Sequence, residues 1–276
     1  ITWTGTQLAL MGYGSFASGT SATALTTATT GTTFYPTSIA YSPTQLKYIA
    51  LAGGGYGQVY SSANGTTWTS VSPAPMYYPY QVVWANGQYV MVGSDTYYYS
   101  NSTTAAPGKV STSPDGITWT ARDPKTPQVP LYGLCWTGTN YIAVGANGAV
   151  TTGSADGVTW TVQTSITTQP LYRVACNGNF VVAVGAADTI LTSSDGGVNW
   201  ASRNVNITNS GSTLSDVVWT GNKFIAVGTG GKVMTSAAGT RWVTEASGTA
   251  HNLTAITWTG TQAVAVGAYG TVLYTQ

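Results

Sequence analysis

The sequence predicts an all-β fold, a seven-bladed β-propeller of four-stranded antiparallel blades. Three observations predict it: one segment that returns seven times, a fixed order of turns inside each repeat, and no helical periodicity. The recurring segment is apolar and ends in glycine, as in VVWTGNKFIAVG from Val217 to Gly228. Its third residue marks each repeat, at Trp3, Tyr41, Trp84, Trp136, Cys176, Trp219 and Trp258. Repeats of about 40 residues that contain a tryptophan are typical of propeller blades.

Each repeat is divided by turns in the same order, and the sixth repeat shows them clearly. A short β-rich piece ends at the Gly221-Asn222 turn, and the apolar run KFIAVG follows. A second turn at Gly230-Gly231 leads to KVMTS, and a last polar turn precedes the segment with Trp242. Short runs rich in Val, Ile and Thr between Gly and Asn turns predict strands joined by hairpins. Each repeat therefore predicts four strands.

The repeats divide a single domain into seven blades, and the two terminal repeats differ from the others. The predicted blades span about 1–33, 34–76, 77–128, 129–168, 169–209, 210–250 and 251–276. In the first, Leu25 stands where the other outer strands have Trp. The last shows no fourth strand, which leaves two alternatives: a three-stranded blade, or a chain that continues.

The composition excludes several classes of partner. Charged residues make up 6 % of the chain, against about 25 % in an average globular domain, and the net charge is +1. Nucleic acids need a basic stripe, which nine scattered Lys and Arg do not form. No apolar run reaches the about 18 residues of a membrane span, so no membrane insertion is expected. A polar surface with little charge favours an extracellular protein or one on a cell or virion surface. No signal peptide is visible to support this.

Cys135 and Cys176 are the two cysteines. They occupy adjacent registers of the innermost strand in neighbouring repeats, so their side chains should point to opposite faces of the blades. We therefore expect two buried, unpaired thiols.

A short Asp/Gly/Trp element recurs near the end of several repeats. Ser193, Asp195, Gly197 and Trp200 form the pattern S-x-D-x-G-x-x-W. Versions one residue shorter pair Asn64 with Trp68, Asp115 with Trp119, and Asp156 with Trp160. The element resembles the Asp-box, or BNR-type, repeat of sialidase-like propellers and of the photosystem II assembly and stability factors. That resemblance implies a propeller fold and says little about function.

The chemistry of this element favours a structural role over a reactive one. A carboxylate or amide before Gly accepts hydrogen bonds from the next backbone N–H groups, and Gly allows positive φ. The Trp then anchors the loop in the blade as a large apolar group. We expect these loops at the rim, between the third and fourth strands.

The candidate binding surface is the face of the propeller opposite the Asp/Gly/Trp loops. Sialidase-like propellers hold their active site on that face. Tyrosines gather there in two predicted sets. One set lies in turns, at Tyr13, Tyr56 and Tyr269, and the other in blade connections, at Tyr80, Tyr132 and Tyr172. Polar residues are expected beside them at the mouth of the axial channel, at Ser38, Gln81, Arg173 and Asp216. Two alternatives stay open: the tyrosines could only cap the core, and Arg173 with Asp216 could form a structural ion pair.

The main functional prediction is a non-catalytic recognition module of lectin or adhesin type. Its partner would be a glycan or cell-surface glycoconjugate whose sugar rings stack on the tyrosines. One alternative is a propeller that docks proteins, with a protein partner. The other is a glycoside hydrolase, which needs two carboxyls at a set spacing, and Asp188, Asp216 and Glu245 are the candidates. The catalytic set of sialidases does not carry over, because the chain has one glutamate. No cofactor and no metal site is predicted.

Overall fold

The computed structural model describes residues 1–30, 34–53, 57–96, 106–125, 128–203 and 211–275. Within them the chain forms seven antiparallel sheets, six of four strands and the last of three. This confirms the predicted seven-bladed propeller. Among the described residues, no helix has the length and apolar character that a membrane crossing requires.

Each sheet uses its strands in chain order, from the channel to the rim. Blade 1 contains β1 (Thr2–Trp3), β2 (Leu8–Gly12), β3 (Ser15–Gly19) and β4 (Thr26–Thr29). Blade 2 contains β5 (Pro36–Ser42), β6 (Lys47–Ala52), β7 (Val59–Ser62) and β8 (Thr69–Val71). Blade 3 contains β9 (Tyr78–Ala85), β10 (Gln88–Ser94), β11 (Gly108–Ser113) and β12 (Thr120–Arg122).

The remaining blades follow the same plan until the last. Blade 4 contains β13 (Leu131–Trp136), β14 (Tyr141–Gly145), β15 (Val150–Gly153) and β16 (Trp160–Val162). Blade 5 contains β17 (Leu171–Asn177), β18 (Phe180–Gly185), β19 (Ile190–Ser193) and β20 (Ala201–Ser202). Blade 6 contains β21 (Leu214–Trp219), β22 (Phe224–Gly228), β23 (Val233–Ser236) and β24 (Val243–Glu245). Blade 7 contains β25 (Leu253–Trp258), β26 (Ala263–Gly267) and β27 (Val272–Tyr274).

The hydrophobic core lies between the blades. The second strands are apolar at almost every position because both of their faces are covered by neighbouring blades. At the boundary of blades 4 and 5, Ile142 and Val144 pack against Val181 and Ala183. The innermost strands contact one another around the ring, and β25 contacts β1 to close it.

A β-bulge recurs near the start of the innermost strand. In blade 4 the pairing jumps from Leu131 to Gly133, and in blade 5 from Leu171 to Arg173. The register shifts at the same place in blades 2, 3, 6 and 7. A bulge leaves one extra residue outside the ladder and redirects its side chain. The bulge therefore decides which side chains reach the mouth of the channel.

The two cysteines form a disulfide, so the prediction of unpaired thiols is wrong. The Cα atoms of Cys135 and Cys176 lie 6.0 Å apart. Cys135 pairs with Ile142 and Cys176 with Val181, and these partners face each other across the boundary of blades 4 and 5. The cysteines do point to opposite faces of their own blades. Adjacent blades meet through opposite faces. Side chains that point to opposite faces of blades 4 and 5 therefore point toward each other and can form the disulfide.

Candidate functional site

An axial channel opens between the innermost strands. It contains a cavity of about 310 Å³, and its lining includes Ser38, Gln81, Arg173 and Asp216. These side chains occupy one register, directly after the bulge. The structure therefore brings the predicted polar residues together at the channel.

These polar groups bind the backbone of neighbouring blades. The side chains of Gln81 and Ser38 accept hydrogen bonds from the N–H groups of Leu134 and Val82, at 2.7 and 3.2 Å. Each donor belongs to the next blade, so each bond joins two blades. The free edge of an innermost strand exposes such N–H groups, and an acceptor from the preceding blade satisfies them. The register therefore forms a polar belt, which we define as Ser38, Gln81, Arg173 and Asp216.

Asp216 accepts two hydrogen bonds from backbone N–H groups in this belt. One carboxylate oxygen accepts the N–H of Val217 at 2.9 Å, and the other accepts the N–H of Ile256 in blade 7 at 2.8 Å. The half-buried position raises the pKa of Asp216 through desolvation, against the effects of nearby Arg173 and of these hydrogen bonds. Its carboxylate thus joins blades 6 and 7.

Arg173 binds the preceding blade as a donor, whereas Ser38 and Gln81 accept from the following blade. Blade 4 has Gly133 in this register, which has no side chain to act as an acceptor. Its guanidinium donates to the carbonyl oxygens of Tyr132 and Tyr172, both at 2.8 Å. A Cβ at Gly133 would lie 2.8 Å from the Cα of Arg173, so the two strands approach closely here. Burial lowers the pKa of Arg173, and Asp216 opposes the shift. Among the ion pairs of the described residues, Arg173 and Asp216 do not form one. The ion pair, one of the two alternatives that the sequence leaves open for these residues, is thus not formed, and both side chains bind backbone groups instead.

Three tyrosines form a continuous row across blades 3, 4 and 5. Tyr80, Tyr132 and Tyr172 are the extra residues of the bulges in β9, β13 and β17. The ring centroids of Tyr80 and Tyr132 lie 5.0 Å apart, edge to face, and those of Tyr132 and Tyr172 lie 5.8 Å apart. All three side chains are half-buried. We call this set the tyrosine row.

The turn tyrosines are separate from the row. Tyr269 is 90 % exposed and has a left-handed backbone, and its ring lies 5.0 Å from that of His251. Tyr13 is 58 % exposed and packs against Tyr35, with the ring centroids 4.7 Å apart and the rings tilted. The blade 1 turn is one residue shorter than that of blade 7, so Tyr13 does not share the backbone conformation of Tyr269. The predicted common register is therefore wrong for this pair. Tyr56 lies outside the described residues.

The three carboxyls of the hydrolase alternative have different partners. Asp188 forms a half-buried ion pair with Lys232 at 2.5 Å, and Glu245 accepts a hydrogen bond from Thr235 at the rim. Asp216 binds two backbone N–H groups at the channel. None of the five main cavities in the described part of the chain is lined by two of them. In the same residues, no group of three or more His, Cys, Asp or Glu could hold a metal ion.

The Asp/Gly/Trp loops lie between the third and fourth strands, at the rim. In blade 5, one oxygen of Asp195 accepts the N–H groups of Val198 and Asn199, at 3.2 and 2.9 Å. The indole N–H of Trp200 donates to the carbonyl of Gly197 at 2.9 Å. Asn64, Asp115 and Asp156 accept from the following backbone N–H groups in the same way, and the indoles of Trp68, Trp119 and Trp160 donate to the loop glycines. These carboxylates are thus occupied by their own loops.

We predict a pH-dependent contribution from Asp195. Hydrogen bonds from Asn199 and Ser193 lower its pKa from 3.8 to about 2. A lowered pKa adds stability above pH about 4, and this stability is lost as the pH falls toward 2. Because the carboxylate is exposed, we expect about 1 kcal/mol or less. Urea unfolding between pH 2 and 6, with Asp195→Asn for comparison, measures it.

Asn64 in blade 2 shows that an amide oxygen can make the backbone bonds. Asp195→Asn should therefore fold, and its unfolding free energy should approach that of the wild type at the acid end. A difference between the two proteins that stays constant with pH would contradict the assignment.

The comparisons with known proteins establish the fold. Neither a protein-family model nor a curated protein sequence matches the chain. Among solved structures, YCF48 bound to D1 peptide matches 99 % of this chain and 89 % of its own, at TM-score 0.73 and 15 % identity. The WD40 propeller of Doa1 matches 98 % of this chain and 90 % of its own, at TM-score 0.70 and 9 % identity. Virginiamycin B lyase from Staphylococcus aureus matches 87 % of this chain and 83 % of its own, at TM-score 0.65 and 11 % identity. Identities this low carry the fold and no activity.

Sequence reasoning missed the polar belt and the bulges. The sequence predicts Gln81, Arg173 and Asp216 as ligand contacts, with an ion pair as the alternative for the last two, whereas their bonds to backbone join adjacent blades. One signal was present: a polar residue follows the tyrosine register in four of the seven repeats. Such regularity is typical of a structural role.

Proposed function

We propose that this protein is a non-catalytic docking propeller that binds an extended polypeptide along the tyrosine row. The observation that carries the proposal is the row itself, three half-buried rings side by side on neighbouring blades. Rows of aromatic rings bind extended, proline-containing segments, because ring faces and hydroxyls contact both apolar side chains and carbonyl groups. The neighbour YCF48, which was solved bound to D1 peptide, supports a polypeptide partner.

The geometry of the row favours a polypeptide over a sugar. A sugar ring stacks on an open aromatic face, whereas Tyr80 meets Tyr132 edge to face and Tyr132 also contacts Tyr172. The polar groups beside the row already bind backbone, as Arg173 does. The partner segment should carry little charge, because the protein has a net charge of +1 and 6 % charged residues.

A glycan remains a second proposal, at a different place. Tyr269 is 90 % exposed and presents an open ring beside His251, which suits stacking on a sugar. An extracellular location, proposed from composition, agrees with the Cys135–Cys176 disulfide, because disulfides persist in oxidising compartments. The resemblance of the rim loops to the Asp-box repeat agrees with a structural role for them.

A selection experiment tests the docking proposal. A displayed library of random peptides is selected on the folded protein, and a glycan array is probed in parallel. We expect peptides whose affinity falls at least about tenfold in Tyr132→Ala/Tyr172→Ala, since truncating a central aromatic residue costs more than about 1 kcal/mol.

Tyr13→Ala and Tyr269→Ala are the matched controls, because they change exposed tyrosines outside the row. Both should bind selected peptides as the wild type does. Peptides insensitive to the row, or glycans lost in Tyr269→Ala with no peptide selected, would contradict the docking proposal.

A further inference from the structure

The boundary between blades 4 and 5 lacks the link that the polar belt forms at the two boundaries before it. There, the belt side chains of blades 2 and 3 accept an N–H group from the following blade. Gly133 occupies this register in blade 4 and has no side-chain acceptor. Two other links join blades 4 and 5, the Cys135–Cys176 disulfide and a hydrogen bond from Arg173 to the carbonyl of Tyr132.

Even a methyl group does not fit at Gly133. A Cβ there would lie 2.8 Å from the Cα of Arg173 and 2.8 Å from the carbonyl oxygen of Tyr172. Contacts this short with backbone atoms would force the two strands apart. The innermost strands β13 and β17 therefore approach each other most closely beside Tyr132 and Tyr172, the two row tyrosines that precede Gly133 and Arg173.

The guanidinium of Arg173 bridges the backbones of these two tyrosines. Its Nη1 donates to the carbonyl oxygens of Tyr132 and Tyr172, both at 2.8 Å. The strand pairing skips both tyrosines at their bulges, so their peptide groups need partners outside the ladder. Hydrogen bonds from a charged donor are about twice as strong as neutral ones. One nitrogen atom thus holds the backbone on both sides of the boundary.

The position of a carbonyl group restricts the direction of its side chain. The peptide group is a rigid plane that is attached to the same Cα as the side chain, so a fixed carbonyl limits where the ring can lie. The ring centroids of Tyr132 and Tyr172 lie 5.8 Å apart, with the rings tilted by 30°. By holding both carbonyls, Arg173 holds the two rings in this arrangement.

The disulfide lies too far along the strands to set the ring geometry. Cys135 follows Tyr132 by three residues and Cys176 follows Tyr172 by four, which corresponds to about 10–13 Å of extended strand. A cross-link at that distance limits how far the strands can separate. It leaves the tyrosine backbones free to turn, so the ring arrangement depends on Arg173.

Given the function proposed for the tyrosine row, on which this inference rests, we propose that Arg173 is a positioning residue of the docking surface. It holds Tyr132 and Tyr172 in the arrangement that binds the partner segment. The bonded nitrogen of Arg173 is occupied by backbone carbonyls, and Asp216 lies near enough to oppose its charge. Arg173 therefore acts through the two tyrosines, and the partner segment needs no acidic residue.

Arg173→Met removes every donor and keeps a side chain that extends in the same direction. For peptides selected on the wild type, we expect the affinity to fall at least about tenfold, as it does when central aromatic residues are truncated. Arg173→Lys should restore part of the binding, because an ammonium can donate to both carbonyls. High salt should not weaken binding to the wild type, because the partner makes no charged contact with Arg173.

Cys135→Ala with Cys176→Ala is the matched control, because it removes the other link at the same boundary. In urea this variant should lose more stability than Arg173→Met, yet it should bind the selected peptides nearly as the wild type does. A role in stability alone would give the reverse order of affinities. Weaker binding by the cysteine variant than by Arg173→Met would therefore overturn the proposal.

Contacts between the rings in the free protein separate this proposal from the proposed function. With labelled tyrosines, nuclear Overhauser contacts between Tyr132 and Tyr172 should be present in the wild type and lost in Arg173→Met, while those between Tyr80 and Tyr132 remain. Unchanged ring contacts or unchanged affinity in the folded variant would overturn the proposal. Selection of no peptide would overturn the docking function, whereas loss of the ring contacts would still show that Arg173 positions the two tyrosines.

Gly133→Ala keeps the test decisive if Arg173→Met does not fold. The added methyl group would force β13 and β17 apart while Arg173 stays in place, so the ring contacts between Tyr132 and Tyr172 and the affinity should both fall. Unchanged affinity in folded Gly133→Ala would overturn the proposal.

Discussion

Replacing both cysteines, Cys135→Ala with Cys176→Ala, should lower the free energy of unfolding by about 3–4 kcal/mol. The disulfide closes a loop with a sequence separation of 41 residues. Removing such a cross-link gives the unfolded chain more conformational entropy, which sets the size of the expected loss. Urea unfolding followed by tryptophan fluorescence measures it, with both proteins at the same pH and salt concentration.

Reduction of the wild type is the matched control for this pair. With dithiothreitol the wild type should lose about as much stability as the double variant, about 3–4 kcal/mol, and the double variant should not respond. Equal stability of the oxidised wild type and the double variant would contradict a disulfide between blades 4 and 5.

Replacing Asp216 with alanine should lower the free energy of unfolding by about 2 kcal/mol. The change leaves the N–H groups of Val217 and Ile256 without their acceptor, and an unsatisfied buried donor costs about 1–3 kcal/mol. We expect a loss of about 2 kcal/mol, because water in the channel can replace part of the bonding. It also removes a negative charge near Arg173.

Ser215→Ala is the control, since Ser215 precedes Asp216 in β21 and is equally half-buried. It should change stability by no more than about 0.5 kcal/mol. The loss of stability in Asp216→Asn should lie between those of Ser215→Ala and Asp216→Ala, because an amide oxygen replaces one of the two carboxylate acceptors. If Asp216→Ala did not change the free energy of unfolding, the belt would not hold blades 6 and 7 together.

The fold and the rim loops could be predicted from the sequence because their signals are local. The bonds that Asp195 makes join residues at most four positions apart, and Trp200 binds the glycine three positions before it. A motif of this length repeats as a unit, so residue types and spacing suffice. Likewise, strands buried on both faces appear as apolar runs.

The channel and the disulfide could not be predicted in the same way because they depend on how blades meet. Gln81 binds a residue 53 positions away, and the cysteines are 41 positions apart. The periodicity of one strand shows which face a side chain occupies, and it does not show which neighbour covers that face. The sequence places Tyr80, Tyr132 and Tyr172 in one register, but the contacts of their rings depend on bulges that residue types do not reveal.

Hydrogen–deuterium exchange of the full chain, with and without a peptide selected on it, tests the docking proposal most directly. If the peptide binds along the tyrosine row, exchange should slow in residues 77–84, 129–136 and 169–176, which contain Tyr80, Tyr132 and Tyr172. The rim loops around Asp115, Asp156 and Asp195 should not change. Protection confined to those loops, or to the turns that contain Tyr13 and Tyr269, would show that the tyrosine row is not the binding surface.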